Sequence, residues 1–197
     1  QSPDRLLTVN ASAFYTEYKD LQVQVFTSVA PVFRNAGRAR IQGFEAEAQL
    51  RPAPGLLIEG TLGLTDAQYK RIDQATTYIN PANMFERVSK WTASAAITYD
   101  FELPGGSRLT PHADWAWRSK FYNNTFNTPQ IAQPGYSVFN ASLGWTSANE
   151  RFGLSANVRN IGNKRFLMSG ILVDAIQAFE GVFNRGREWS VTASFKY

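Results

Sequence analysis

The chain lacks cysteine and has a single histidine, His112. Without cysteine, a disulfide framework, a thiolate metal site and a thiol nucleophile are all excluded. One histidine gives no basis for an imidazole zinc site or a Ser-His-Asp triad, and no nucleophile motif accompanies it. We therefore expect a protein that is not an enzyme and that carries no metal and no cofactor.

Long apolar runs are also missing. None reaches the roughly 20 residues of a membrane-spanning helix, and the mean hydropathy is −0.29. A helical membrane protein is excluded, but a barrel is not, because alternating strands average to a low hydropathy. The net charge is +4, yet lysine and arginine are scattered without a basic run. Nucleic acid is therefore not an expected partner.

The first residues, QSPDRLLTVN, contain neither the basic nor the apolar segment of a signal peptide. A strand pattern begins almost at once after them. Together these observations favour a chain that begins inside a longer protein.

Apolar and polar residues alternate along most of the chain, which is the period of a strand with two unlike faces. From Trp91 to Phe101 every second residue is apolar, and the segment from Trp189 to the terminal Tyr197 follows the same rule. The pattern predicts nine antiparallel strands, at 5–18, 21–29, 38–51, 56–69, 88–102, 107–121, 136–146, 151–166 and 187–197.

The links between these strands alternate in length. Short segments rich in Pro, Gly, Asp and Asn predict hairpin turns at 19–20, 52–55, 103–107 and 146–150. Longer links lie at about 30–37, 70–87, 122–135 and 167–186. Short turns at one rim and long loops at the other are typical of transmembrane up-and-down barrels.

The aromatic residues support a membrane. In strands that run toward the short turns, they form two levels about ten residues apart, which corresponds to about 25 Å in a tilted strand. A soluble core would concentrate aromatics centrally, whereas alanine dominates the strand middles. The level near the long loops contains Trp91, Phe139 and Trp189. The level near the short turns contains Tyr99, Phe101, Trp145, Phe195 and Tyr197.

The alternation also predicts which way side chains point. Residues predicted to face lipid are Phe44, Leu50, Ala93, Ile97, Leu154, Val158 and Val191. Residues predicted to line the lumen wall are Glu45, Glu47, Glu59, His112, Asp114, Arg118 and Arg159, with Asn157 on the same face. We expect Glu45, Glu47 and Glu59 to form a charge network along the wall with Arg118, Lys120 and Arg159, the alternative being a ligand site.

Four segments and one longer stretch together resemble TonB-dependent outer-membrane receptors. The stretch NAGRARIQGFEAEAQLRPAPGLLIEGTLGLTDAQY has that family's Asn-Ala-Gly loop end, Gly-Phe/Val-Glu strand, Pro/Gly turn and Gly-x-x-Gly-x-Thr-Asp-Ala strand in order. VSKWTASAAITYDF, QPGYSVFNASLGW, NVRNIGNKRF and GREWSVTASFKY resemble the strands that follow, so the resemblance covers nearly all 197 residues.

The resemblance implies an antiparallel barrel of about 22 strands with an internal plug. Residues 1–197 would supply its last nine strands, without the plug and the first strands. It further implies a location in the outer membrane of a Gram-negative bacterium. The implied partners are outer-membrane lipid, the plug and remaining strands of the same protein, the TonB complex through the missing N-terminal part, and the barrel-assembly machinery.

The implied function is active uptake of a scarce solute, either an iron-siderophore or similar complex or a carbohydrate, energised by the TonB system. A passive porin or channel is the alternative, and the missing N-terminal sequence would discriminate them by the presence of a plug. An outer-membrane enzyme would need a Ser/His/Asp set at a strand end, and no such set is present in the sequence.

Two long loops are candidates for ligand contact. In the first, amides beside aromatic rings suit siderophore or sugar recognition, although a solvated polar loop is an equal alternative; the residues are Tyr122, Asn123, Asn124, Phe126, Asn127 and Gln130. The second, 171–183, is apolar and is expected to cover the lumen mouth. The spacing of Leu172, Ile176 and Phe179 favours a short helix there.

The last strand carries a further expectation from the resemblance. Barrels of this kind end on an aromatic residue that the assembly machinery recognises, and Phe195 and Tyr197 occupy that place.

Overall fold

The computed structural model describes residues 6–27, 30–73, 77–173, 176 and 178–197. Over these ranges the chain is almost entirely β-structure. Helical geometry within them is limited to a 3-10 turn at Pro129–Ile131 and to single residues at Thr77 and Ile176. No helix in these ranges is long and apolar enough to cross a bilayer.

Thirteen strands follow one another in the described ranges. Their bounds are β1 Leu7–Thr27, β2 Ala30–Ala53, β3 Leu56–Ile72, β4 Trp91–Tyr99, β5 Phe101–Glu102, β6 Arg108–Arg118, β7 Phe121–Tyr122, β8 Ala132–Gln133, β9 Tyr136–Thr146, β10 Phe152–Arg159, β11 Leu167–Val173, β12 Ala178–Phe183 and β13 Glu188–Phe195.

The main sheet is an antiparallel meander in the order β1-β2-β3-β4-β6-β9-β10-β13, and every strand pairs with its neighbour along the chain. β5 continues β4 after a one-residue break and pairs with β6. β7–β8 and β11–β12 form two small separate sheets within the long loops. The predicted all-β, antiparallel, up-and-down fold is therefore confirmed.

The first strand departs from the prediction. β1 is continuous, so the predicted strands 5–18 and 21–29 are one strand, and the predicted hairpin at 19–20 is wrong. The predicted long link 30–37 belongs to β2. Eight strands therefore cross the main sheet, and its ninth segment is the short β5. β1 runs from the short-turn rim toward the long loops.

A bulge replaces the expected hairpin. The register between β1 and β2 slips from Tyr18 to Leu21, and between them Asp20 has a left-handed φ of 57°. Opposite the slip, Gly37 has a φ of 110°. Asp tolerates the left-handed region and Gly adopts it freely, so an irregularity on both strands absorbs the extra residues and pairing resumes.

The two rims are unlike, as predicted. Pro54–Gly55, 103–107 and 147–151 connect strands at one rim, and 73–90, 119–135 and 160–187 connect them at the other. The tightest turn needs its glycine. Gly55 has a φ of 77°, accepts a hydrogen bond from Asp100 N–H at 2.9 Å, and leaves no room for a Cβ against Asp100 O.

Cross-strand partners point to the same face of a sheet, and the register joins the apolar residues of all eight strands. One row of opposed residues crosses the whole sheet and is apolar throughout: Leu7, Leu50, Ile58, Ile97, Ala113, Ala141, Val158 and Trp189. The adjacent row, one residue away, includes Thr98, His112, Ser142, Asn157 and Ser190. The predicted division into an apolar and a polar face is confirmed.

The apolar face is exposed. Leu154 is 49% and Val191 is 73% accessible, although both belong to regular strands. Aromatic contacts lie at the two ends of this face. Trp91 meets Phe44 edge-to-face with ring centroids 6.0 Å apart toward the long loops, and Phe195 meets Phe152 at 5.1 Å toward the short turns. Such a surface suits a lipid environment between two aromatic levels.

Adjacent alanines on β4 offer a matched test of this orientation. Ala95 lies on the apolar face opposite Gly60 and Trp115, whereas Ala96 lies on the polar face opposite Glu59 and Asp114. In the full-length protein in a bilayer, we expect Ala95→Arg to lower the free energy of unfolding by about 2 to 4 kcal/mol, and Ala96→Arg to lower it far less. Equal losses, measured by denaturant titration, would contradict the assignment of faces.

The C-terminal residues provide a second test. β13 ends at Phe195, two residues earlier than the alternation predicts, and Tyr197 beyond it is fully exposed. Because the strand is an edge until the barrel closes, we expect deletion of 195–197 from the full-length protein to reduce heat-modifiable barrel sharply in gel-shift assays. Lys196→Ser is the control and should assemble normally. Normal assembly of the deletion variant would show that the terminal aromatics are dispensable.

Candidate functional site

The polar face carries every residue predicted for the lumen wall. The register places all seven side chains on it: Glu45, Glu47, Glu59, His112, Asp114, Arg118 and Arg159. Over β1 to β4 this face forms an open cavity of about 420 Å³ that Glu45 and Glu47 line. Within it Asn10 donates to Glu47 at 2.8 Å.

The charge network expected between these residues does not form. Among the described side chains, ion pairs join Arg40 to Asp66, Arg87 to Glu86 and Arg185 to Glu188, and the His112 ring lies close to Asp114. The acidic residues lie on β2 and β3, whereas the arginines lie at the loop ends of β6 and β10, and β4 separates them. Glu59 instead accepts a hydrogen bond from Gln49 at 3.0 Å.

A polar chain of side chains crosses the middle of the wall. His112 Nδ1 lies 2.8 Å from Thr98 Oγ1, and His112 Nε2 lies 3.4 Å from Asp114 Oδ1. Asn140 donates to Asp114 at 2.7 Å and accepts from the backbone N–H of Asn160 at 2.8 Å. These bonds link the wall to the start of the third long loop.

The loop at 119–135 uses most of its amides for its own structure. Asn123 is buried and donates to Ile131 O at 2.7 Å. Asn124 accepts from Thr128 N–H at 3.0 Å and donates to Thr128 Oγ1 at 2.8 Å. Local side-chain bonds of this kind stabilise turns in place of regular structure. These two predicted ligand residues therefore shape the loop.

Asn127 joins this loop to the preceding one. Its Oδ1 accepts from Met84 N–H at 2.7 Å and its Nδ2 donates to Met84 O at 2.9 Å, so the amide pairs with both groups of one peptide residue. Nearby, Asn83 donates to Thr125 O at 2.9 Å, and Arg87 N–H donates to Tyr122 O at 2.8 Å. The two loops are thereby held as one unit.

Three of the six predicted ligand residues remain available at the surface. Phe126 is exposed, Gln130 is exposed, and Tyr122 is half-buried with its hydroxyl accepting from Lys120 at 2.8 Å. Their role in ligand contact remains a prediction.

The third loop contains a hairpin where a short helix was expected. β11 and β12 pair from Leu167 to Phe183, so the helical interpretation of 171–183 is wrong. Residues 174, 175 and 177 lie outside the described residues. β-Branched and aromatic residues on both sides of this turn favour strands, and that preference outweighs the three-to-four spacing used for the helix. Ile171, Val173 and Val182 are exposed on this hairpin.

Buried amides attach this hairpin to its neighbours. Gln133 accepts from Leu167 N–H at 2.6 Å, and Gly170 packs so closely on Ile131 that a Cβ would lie 2.8 Å from its side chain. Asn184 accepts from Phe166 N–H at 2.8 Å. The three long loops therefore contact one another in series, from 73–90 through 119–135 to 160–187.

The contribution of the first long loop was not anticipated from sequence. It packs against the C-terminal end of β3, where Phe85 stacks on Tyr69 with ring centroids 4.3 Å apart. Ile79 of the same loop is fully buried. The segment Asn80-Pro81-Ala82-Asn83 is a turn signal that could have indicated an ordered loop. Its contact with the second long loop could not be predicted from residue spacing, because the Asn83–Thr125 hydrogen bond joins residues about 40 apart.

Removal of the Asn127 amide should separate the first two loops. Asn127→Ala leaves the N–H and C=O of Met84 without partners, which costs about 1 to 3 kcal/mol. We expect amide hydrogen exchange at 83–88 to accelerate about ten-fold or more in the full-length protein. Gln130→Ala, an exposed position in the same loop, is the control. Unchanged exchange in the Asn127 variant would show that other contacts hold the loops together.

Comparisons with known proteins agree with this architecture. Residues 2–161 match the family described as TonB dependent receptor-like, beta-barrel. The pesticin receptor of Yersinia enterocolitica is 26% identical over 166 residues, which are 84% of this chain and 24% of that protein.

Solved structures give the same result. The ferric yersiniabactin uptake receptor FyuA of Yersinia pestis superimposes with a TM-score of 0.81 at 25% identity, over 98% of this chain and 28% of that one. The siderophore receptor PiuA of Acinetobacter baumannii, at 23% identity, shares the fold with a TM-score of 0.73, over 97% of this chain and 26% of that one.

The chain spans about a quarter of the length of these relatives, 24% of the pesticin receptor and 28% of FyuA. The matched family covers most of the chain, and its members are transport receptors rather than enzymes. The chain therefore belongs to the TonB-dependent receptors, through their β-barrel in the outer membrane of Gram-negative bacteria.

Proposed function

We propose that this chain is the C-terminal part of the barrel of an uptake receptor for a ferric siderophore or a similar metal chelate. In this proposal a plug and further strands precede residue 1, and the TonB complex supplies the energy through that preceding part. The family supports this proposal, and so do two relatives that are named as receptors: the pesticin receptor and the ferric yersiniabactin uptake receptor FyuA.

The observation that carries the proposal is that hydrogen bonds join the three long loops to one another. A receptor must present a preformed surface to its ligand, because loops that are ordered only on binding weaken the affinity. Here Asn127, Asn83 and Gln133 connect the three loops side chain to backbone. The loops lie at one end of a wall whose polar face carries Glu45 and Glu47.

Separate parts of the chain would then have separate roles. The apolar face contacts outer-membrane lipid, and the polar face surrounds the plug. In the loops, Tyr122, Phe126 and Gln130 are the predicted ligand contacts that remain accessible, while Asn123, Asn124 and Asn127 hold the surface in shape. Phe195 and Tyr197 are the proposed signal for the barrel-assembly machinery.

A passive channel is the alternative function. A passive channel would conduct small solutes without an energy source, and it would not require loops joined to one another by side-chain hydrogen bonds. The loop contacts described above therefore favour the receptor.

The full-length protein provides the test, in a host that lacks its own ferric-siderophore receptors. We expect it to restore iron-limited growth on at least one ferric chelate, and we expect deletion of the host tonB gene to abolish that growth. A variant with 121–131 replaced by a short Gly-Ser linker should assemble but fail to take up iron. Growth that persists without TonB, or liposome swelling by small sugars, would support the channel.

A further inference from the structure

Three strands of the wall continue beyond the level at which the others stop. β4 begins at Trp91, opposite Leu64, whereas β3 continues to Ile72, and β1 and β2 extend beside it. The first long loop packs on the lumen side of this extension, because Tyr69 is buried there and stacks on Phe85. The opposite side, which we call the outer side, continues the apolar face of the wall.

On the outer side the side chains change from apolar to polar directly beyond Phe44 and Leu64. The next two rows, in the strand order β1-β2-β3, are Tyr15, Gln42 and Asp66, and then Glu17, Arg40 and Gln68. Asp66 accepts hydrogen bonds from the three polar side chains beside it, and Glu17 accepts one from Tyr15 at 2.6 Å. The carboxylates of these rows are therefore already hydrogen-bonded within the rows.

The next row places two arginines directly opposite each other. Arg38 and Arg71 are cross-strand partners on β2 and β3, and both are exposed. Arg38 precedes Ala39, which is buried on the lumen side opposite Tyr69, so Arg38 and its partner point outward. Among the described side chains, neither arginine has an ion pair. Because like charges directly opposite each other destabilise a sheet, an anion between them would be stabilising.

Two lysines lie at the same height, in the register slips that flank this row. Lys70 is the extra residue of β3 in one slip, and it donates to Gln68 on the outer side at 2.9 Å. Lys19 lies in the other slip beside Asp20, and both are exposed. Three cations therefore share the outer side, and we call them the upper basic row: Arg38, Lys70 and Arg71.

The height of the upper basic row selects the kind of anion. Arg71 lies about seven residues beyond Leu64, which is opposite Trp91 at the aromatic level near the long loops. At about 3.3 Å per residue in a strand tilted by about 40°, the row lies about 15 to 20 Å beyond that level. The headgroups of ordinary phospholipids extend only about 5 to 8 Å beyond the hydrocarbon. An anion at this height must therefore belong to a larger headgroup, such as an oligosaccharide.

The two polar rows below suit a saccharide. Tyr15 is 61% exposed, and Gln68 is also exposed. Amide and phenol groups both donate and accept hydrogen bonds, as sugar hydroxyls do. The exposed ring adds apolar area on which a sugar ring can pack. The surface therefore offers amide and aromatic contacts in its lower rows and cationic contacts in the upper basic row.

We infer that the outer side of β1–β3, beyond the aromatic level, binds the headgroup of an outer-leaflet glycolipid. The upper basic row contacts phosphate or carboxylate groups of the oligosaccharide, to which guanidinium and ammonium groups form strong charge-assisted bonds. A lipid is the occupant because this surface is continuous with the apolar face, which a barrel turns toward the bilayer. The inference does not depend on which solute the receptor takes up.

The test uses the full-length receptor in dodecyl maltoside, with bound lipid counted by native mass spectrometry. One probe is a lipopolysaccharide that carries only its inner-core saccharides, and the other is lipid A, which has the same acyl chains and no core. We expect the core-bearing lipid to bind about ten-fold more tightly than lipid A, with a difference that shrinks as salt screens the charges. The soluble core oligosaccharide, released from its acyl chains, should bind far more weakly than the intact lipid.

Variants of the arginine pair identify the upper basic row as the cause. Arg38→Gln combined with Arg71→Gln should weaken binding of the core-bearing lipid about ten-fold and leave that of lipid A unchanged. Arg151→Gln, at an exposed position on the short-turn rim, is the matched control. Without lipid, the double variant should unfold at the same temperature as the wild type or a higher one, because a like-charge pair has been removed. A lower unfolding temperature would show that the arginines have a structural role and would overturn the inference.

Each of the other outcomes also contradicts the inference. Equal affinity of the wild type for both lipids would show that no anion of the core is recognised. A preference for the core that survives in the double variant would place its recognition elsewhere on the barrel. Tight binding of the soluble oligosaccharide would indicate a site for free saccharide. A dimer in the same spectra that the double variant dissociates would identify a second copy of the receptor as the occupant.

Discussion

In hydrocarbon, a backbone N–H or C=O has no water to bond with, so a strand that enters it must be paired along its length. The meander of eight strands meets this requirement by pairing each strand with its neighbour along the chain. Pairing fixes the register, and the register decides which side chains share a face. The continuous apolar row from Leu7 to Trp189, the polar wall beside it and the position of every loop depend on that register.

The wall could be predicted from the sequence because its information is local. Alternation between Trp91 and Phe101 locates a strand, and Gly55 in a short turn locates a reversal. The failure at Lys19-Asp20 has a physical reason: a charged pair with a left-handed residue suits a bulge as well as a turn. A bulge forms where the chain continues along its partner strand, and a turn forms where the chain reverses. Which of the two occurs depends on a distant strand and cannot be read from the local sequence.

The loops could be predicted less well, because their structure depends on contacts between distant segments. The amides in 121–135 can be seen in the sequence, yet Asn123 bonds to a backbone group of its own loop and Asn127 to one of the preceding loop. A polar side chain has the same identity in sequence whether it faces a ligand or a peptide. Likewise the spacing of Leu172 and Phe179 fitted a helix, and cross-strand pairing in β11–β12 decided otherwise.

The amide of Asn127 has a consequence for how such receptors diversify. Because it pairs with both backbone groups of Met84, its bond is indifferent to the side chain at position 84. Substitutions in the first loop can therefore accumulate freely at that contact, whereas an insertion on either side would shift the peptide out of reach. Recombination that transplants one loop without the other would separate the amide from its peptide, so the two loops should be inherited, and engineered, as a single cassette.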